Sequence, residues 1–291
     1  MLLTPSQRIV RALGAWIVVG VFAFPIVYWI GVAFKHDRDI FAIPPKVFRF
    51  EPTVQSFEEV FGISFGFEKG LEVLPGGGSS YYSIPSIVDS VIVAVLSTAL
   101  CLVLATLAAY ALSRMRFPGK DHYVFWVLSQ RMMPPIAVAI PFFFIFRDLG
   151  LRDTHLGLVI AHALINLPLA VLLMKSFMDD VPKEVDEAAM IDGATRFQSF
   201  ARVVLPMVRG GVAATAVLCF IFSWTEFLVS LQLTTSIRTI PVKISTFVTS
   251  TGTEWGFITA LGSAAMLPAF IFILLVQRHL VRGLTLGSMK D

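Results

Sequence analysis

Along the chain, apolar residues run unbroken for about the twenty positions that an α-helix needs to cross a hydrocarbon core in six places: 13–34, 90–112, 124–146, 156–174, 212–233 and 255–276. None of these runs alternates with period two, so the pattern predicts membrane-spanning helices and not barrel strands. An all-α polytopic membrane protein with six transmembrane helices follows. An even number of crossings puts both ends on one side, and Lys and Arg decide which. Arg8 and Arg11, then Arg114, Arg116 and Lys120, then Lys175, Lys183, Arg196, Arg202 and Arg209, then Arg278, Arg282 and Lys290 share one side. The two short loops opposite hold only Arg147, Arg152, Arg238 and Lys243. The basic side, with both termini, is predicted to be cytoplasmic.

The chain divides accordingly into a cytoplasmic N-terminus and first helix (1–34), an external loop (35–89), a permease-like core of five helices (90–276) and a cytoplasmic tail (277–291). The first apolar run exceeds the length of a cleaved signal and lacks a small-residue cleavage site, which predicts a retained helix. The external loop contains Pro44, Pro45 and Pro52 and then Pro75-Gly76-Gly77-Gly78-Ser79-Ser80. Such residues favour turns and loops, and predict an extended excursion with little core.

Between the fourth and fifth runs, the internal segment 175–211 carries both charge and helix punctuation. Asp179-Asp180-Val181-Pro182 reads as a helix start. Lys183 to Asp192 contains no breaker and stops at Gly193, the residue best suited to a left-handed C-terminal turn. Thr195-Arg196-Phe197-Gln198 has the form of a capping box, opening a second helix that Pro206 would close. Two short helices with a glycine elbow result. Val185, Ala188 and Ala189 make a narrow stripe of small residues that permits close approach by another surface. By periodicity alone the segment also fits a solvated connector.

Composition narrows the function classes. With 56% hydrophobic and 15% charged residues, against about 25% charged in a soluble domain, neither a soluble nor a disordered chain is expected. The 23 Lys and Arg against 20 Asp and Glu are too balanced to suggest nucleic acid. Cys101 and Cys219 lie within apolar runs and read as small hydrophobes rather than a disulfide or metal site. A phosphate-wrapping loop is missing: the only Gly-Lys, Gly119-Lys120, is followed by Asp121, with Arg114 at the first-glycine position. Neither His-Glu-x-x-His nor Gly-x-Ser-x-Gly occurs. The chain is therefore expected not to be an enzyme and to hold no cofactor of its own.

Glu187-Ala188-Ala189, three residues, Gly193, nine residues, Val203, one residue, Leu205-Pro206 resembles the EAA signature of the membrane subunits of bacterial ABC importers, with Val203 where Ile is usual. The similarity extends to the carbohydrate branch, the maltose-type second membrane subunit family. It is carried by Ala108–Arg114 with Phe117-Pro118-Gly119, by Arg131-Met132-Met133-Pro134-Pro135, and by Ser223-Trp224-Thr225-Glu226-Phe227, where Thr225 replaces the usual Asn. Residues 62–82 look longer than the family's usual loop. The resemblance implies a permease of the bacterial inner membrane that carries a carbohydrate or polyol. Its implied partners are a second homologous permease subunit, a dimeric ATPase that binds the ATP and Mg, and a periplasmic or lipid-anchored solute-binding protein. Glu187, Ala188, Ala189, Asp192, Gly193, Leu205 and Pro206 would then couple to the ATPase.

Polar residues inside the runs are candidates for the solute pathway, because ionisable groups are costly there. Arg131 lies within the third run, and could also snorkel or pair with a partner subunit. Asn166, just before Pro168, and Glu226, two residues after Trp224, complete the set. Pro134, Pro135, Pro141 and Pro168 would each break helical hydrogen bonds, as is tolerated where backbone lines a cavity or packs on protein, and Asn166 with Pro168 fits interhelical packing equally well. An indole face beside hydrogen-bonding groups suits a sugar, although Trp224 could equally anchor the helix at the interface. The rival reading is a secondary carrier driven by an ion gradient, which would be expected to show inverted repeats and midplane acids; neither is evident.

Overall fold

In this computed structural model, residues 5–63, 81–250 and 252–287 are described. Most of the 62–82 loop, including the Pro75–Ser80 run, and Lys290 lie outside them. The elements are, in order, α1 (Pro5–Val32), α2 (Asp37–Ile40), α3 (Gln55–Phe61), α4 (Ile84–Arg114), α5 (Lys120–Gln130), α6 (Pro135–Asp148), α7 (His155–Asp179), α8 (Lys183–Ile191) and α9 (Arg196–Ser199). A π-helical turn (Phe200–Val204) joins α9 to α10 (Leu205–Met207). Then follow α11 (Arg209–Trp224), α12 (Leu228–Leu233), α13 (Ile240–Ser245), the antiparallel strands β1 (Val248–Thr249) and β2 (Gly252–Thr253), and α14 (Trp255–Gly287).

Four helices are long and apolar enough to cross a membrane unaided: Val10–Val32, Ile84–Arg114, His155–Asp179 and Trp255–Gln277. The third predicted run is bent within its length, and a second bend lies at Val208, just before the fifth run. α5 and α6 meet at 96°, and Arg196–Met207 meets α11 at 77°, so among the described residues four helices qualify as spans by length and composition, or as many as six if each bent pair is one span. The first bend falls where the sequence places two prolines together. Pro134 and Pro135 remove successive N–H donors and push their predecessors out of helical geometry; Pro134 sits at ψ 131°. Pro141 and Pro168, by contrast, are absorbed within α6 and α7, which continue through them. The fifth run also ends earlier than expected, at Trp224 rather than 233. The second span begins earlier, at Ile84, because Ser86 and Asp89 interrupt the apolar run without interrupting the helix.

Two compact units can be distinguished. One comprises the described parts of Met1–Ile84 together with Lys243–Met266. Here the external loop, expected to be extended with little core, has short helices and some buried residues in its described part. Asp39, Glu58 and Val60 are buried, the Thr53 amide donates to Phe34 O at 2.9 Å, and Ser83 N donates to Val60 O at 2.8 Å. Tyr81 packs against Phe257, the rings tilted by 34° with centroids 4.3 Å apart. The prolines shape this excursion, but a partner segment two hundred residues away in sequence gives it a core. In the same unit α1 exposes Trp16 and Phe22 over most of their surface, as a helix facing lipid would.

The other unit, the described parts of Pro85–Val242 with Leu267–Asp291, packs α4, α7 and α11 through small residues. Ala105, Ala109 and Cys101 of α4, Ala170 and Met174 of α7 and Cys219 of α11 are all buried in one cluster. Gly211 of α11 lies so close to Phe177 of α7 that an added Cβ would stand 2.3 Å from its ring.

Candidate functional site

The internal segment folds as its punctuation predicts. Pro182 stands at the start of α8 with extended ψ, and Glu184 and Asp186 in the first turn complement the helix dipole. At the far end Gly193 adopts φ +90°. Gly193 N donates to Met190 O and Ala194 N to Ala189 O, the paired bonds that close a helix through a left-handed residue. Thr195 then accepts from Gln198 N through its hydroxyl, while Gln198 Oε1 accepts from Thr195 N. The capping box is complete. Pro206 does not end the second helix, because it sits in the first turn of α10, where its missing N–H is tolerated; the chain turns at Val208 instead.

This arrangement leaves Glu187, Ala188, Asp192 and Gly193 exposed, with Ala189 and Leu205 half-buried and Pro206 exposed on α10. Ile191 and Phe197, 85% and 68% exposed, add apolar surface on either side of the elbow. Beneath it the contacts are polar. Asp186, missed by the sequence reading although it directly precedes the signature, is buried and accepts from Arg114 Nε at 2.6 Å, Tyr110 Oη at 3.0 Å and Ser199 Oγ at 2.7 Å. Arg114 also donates to Val181 O at 2.8 Å. Next to it Ser113 donates to Asp179 at 2.6 Å, and Lys175 pairs with the same carboxylate. A cavity of about 540 Å³ opens beside these groups, bordered by Arg116, Lys183, Glu187 and Arg196 among others. Among the described residues no three His, Cys, Asp or Glu side chains are placed to hold a metal ion.

Residues 115–286, which include this entire segment, match the family described as binding-protein-dependent transport system inner membrane component. The chain belongs to that family. This permease is 36% identical over 280 residues to a probable ABC transporter permease protein of Sinorhizobium fredii, covering 94% of this chain and 93% of that one. It is 31% identical to the trehalose/maltose transport system permease protein of Thermococcus litoralis, covering 98% and 97% respectively. Its fold is shared with a bacterial ABC transporter involved in the import of the acidic polysaccharide alginate, at a TM-score of 0.71 and 21% identity, over 96% of this chain and 99% of that one. It is thus a multi-pass inner-membrane component of an ABC importer rather than a free-standing enzyme.

The permease's other candidate residues fall into two groups. Arg131 is exposed at the α5–α6 break, its guanidinium 5.7 Å from the Phe222 ring of α11. Asn166, Trp224 and Glu226 lie inward. Asn166 Nδ2 reaches Cys219 O at 3.5 Å, and Trp224, 8% exposed, stacks on Phe220, which itself stacks on Phe272. Glu226 accepts from the amides of Val229 and Ser230 at 2.7 and 2.9 Å and from the Ser230 hydroxyl at 2.8 Å. These bonds satisfy the opening amides of α12, which is why the fifth apolar run restarts as a new helix instead of continuing. His162, buried on α7, is the centre of this region. Its Nδ1 lies 2.7 Å from Ser223 Oγ and its Nε2 2.9 Å from Ser230 Oγ, while Ser97 Oγ on α4 lies 2.9 Å from Ser223 Oγ. One polar cluster therefore joins α4, α7, α11 and α12.

A third polar contact lies in the loop before α7. Asp153, at φ +57°, accepts from the amides of Thr235, Ser236 and Ile237 and from the hydroxyls of Thr235 and Ser236. Burial opposes its ionisation, but these donors outweigh it and hold the carboxyl well below the usual carboxylate range.

Proposed function

We propose that this permease forms one half of the translocation pathway of an ABC importer for a carbohydrate or polyol, with both termini in the cytoplasm. It pairs with a second, homologous permease subunit, docks its α8–α9 elbow on a dimeric ATPase that binds the ATP and Mg, and receives solute from an external binding protein. The observation that carries the substrate class is that relatives aligned over more than nine-tenths of this chain are named as permeases for trehalose/maltose and for diacetylchitobiose. Docking is supported by geometry. Glu187 and Ala188 are exposed on α8, and Ile191 and Phe197 are exposed before and after the Gly193 elbow, giving a carboxylate, a small-residue approach and two apolar contacts to a docking surface.

In this reading Arg131 faces the solute path, and Trp224, Glu226 and Asn166 build its wall around the α11–α12 break. Alternating access follows from rigid-body motion: ATP closes the ATPase dimer, the elbow moves with it, and the helices swing. The test is reconstitution of the complete complex in liposomes, with ATP inside and radiolabelled trehalose, maltose or diacetylchitobiose outside. Uptake that requires ATP and survives a protonophore is expected. Uptake that persists without the ATPase and collapses with the protonophore would overturn the proposal.

A further inference from the structure

We propose that Asp186 and Arg114 form the joint through which movement of α8 is passed to the membrane helices, a positioning role that rests on the importer reading above and is separate from docking by Glu187. α8 holds the rest of the protein by a narrow face. Lys183, Glu184, Glu187, Ala188 and Met190 are exposed, and only Val185, Asp186 and Ala189 turn inward. Apolar contact over so small an area is weak and has no preferred direction, so by itself it would let the helix slide. Charge-assisted hydrogen bonds are directional, and here they are sheltered from water: the Arg114 and Asp186 side chains are each 6% exposed.

The bonding pattern fixes α8 in more than one direction. Asp186 takes Arg114 and Tyr110 from the end of α4 and Ser199 from α9. Arg114 grips both Asp186 on α8 and the carbonyl of Val181 in the turn that precedes it. The neighbouring Ser113–Asp179 bond ties the end of α7 to the same turn of α4. Tyr110, Ser113 and Arg114 stand three and four residues apart and share a face of that helix. A push on the elbow therefore moves the end of α4. Further along α4, Ser97 enters the cluster with Ser223 and His162, so the displaced helix is bonded to the break in the fifth span.

In the reconstituted complex, uptake and ATP hydrolysis are measured in the same vesicles, using whichever of radiolabelled trehalose, maltose or diacetylchitobiose the unaltered complex imports. Asp186→Asn and Arg114→Gln should each lower solute taken up per ATP hydrolysed by tenfold or more, with the complex recovered in normal yield. The double variant should be no worse than either single one, because the two side chains act as a unit. An unchanged ratio in the single variants, or losses that multiply in the double variant, would overturn the joint. If the single variants fail to assemble, Tyr110→Phe and Ser199→Ala decide, since both leave the ion pair in place. A two- to fivefold drop in the ratio supports the joint, and an unchanged ratio overturns it. Absence of ATP-driven uptake by the unaltered complex would instead remove the importer reading and the joint with it.

Discussion

Substituting Gly193 separates the backbone geometry of the elbow from the space around it. At φ +90° the glycine sits where a side chain is strained, yet no heavy atom lies within 4 Å of an added Cβ. Crowding inside the permease therefore contributes nothing, and the cost of Gly193→Ala is conformational, about 1–2 kcal/mol for an L-residue in a left-handed conformation. A penalty of that size lowers the population of the formed elbow by roughly 5–30-fold, because the bonds from Gly193 N to Met190 O and from Ala194 N to Ala189 O depend on it. Asparagine tolerates this region better than alanine. Tryptophan carries a backbone cost similar to that of alanine and adds volume that only a docked partner could meet.

The assay is solute-stimulated ATP hydrolysis by the assembled complex. The expected order is Gly above Asn, Asn above Ala, and Ala above Trp. Thermal melting of the purified permease should hardly separate the four, since the elbow is exposed. Asn as poor as Ala, or Ala as good as Gly, would refute the requirement for a left-handed elbow. Trp equal to Ala would mean that the space beside Gly193 stays empty in the complex.

Glu187→Lys, on the exposed face of α8, should leave melting of the permease unchanged and abolish co-purification with the ATPase or its stimulation by solute; normal values of both would remove Glu187 from the interface. Gly211→Ala forces a Cβ against Phe177 and should destabilise the α7–α11 packing by about 1–3 kcal/mol, read as a lower melting temperature in detergent; an unchanged temperature would contradict the close approach. Asp153 is ionised more readily in the folded than in the unfolded chain, so its contribution is fully present above the unfolded carboxylate range, near pH 4, and fades as pH falls through its lower folded value. Asp153→Asn should lower melting between pH 5 and 8 and flatten the further loss in acid; a variant with the parent's acid profile would refute this. Cysteine placed at the fully exposed Ile43 should be labelled from outside intact cells and cysteine at Arg196 should not; the reverse pattern would invert the topology.

What could be read in the sequence was what is decided locally. Apolar length set the four uninterrupted spans, and the order Pro182, Gly193, Thr195, Gln198 gave the two-helix elbow, since caps and left-handed stops depend on residues within one turn. Pairings between distant residues could not be read. Asp186 meets Arg114 only because the chain brings α8 back to the end of α4, and His162 finds Ser223 and Ser230 only once α11 has packed on α7. Tyr81 meets Phe257, from a segment beyond position 242, only in the folded unit. Glu226 lay between these cases. Its amide partners are three and four residues ahead, and an acid placed so in an apolar run signals a helix restart that hydropathy alone averages away.

The π-helical turn at Phe200–Val204 gives the spacing of the signature a further meaning. Leu205 N bonds back to Phe200 O, five residues earlier, so this turn holds an extra residue relative to an α-helix. In an α-helix each residue advances the rotation by about 100°. The interval from Gly193 to Pro206 thus encodes a phase as well as a length. Removing one residue from it would reset the turn to ordinary helix with almost no change in reach, and α11 would leave Val208 on a different bearing. The chain's length between elbow and span works as an angular setting, which gives a physical reason for a signature defined by the intervals between its residues as much as by the residues themselves.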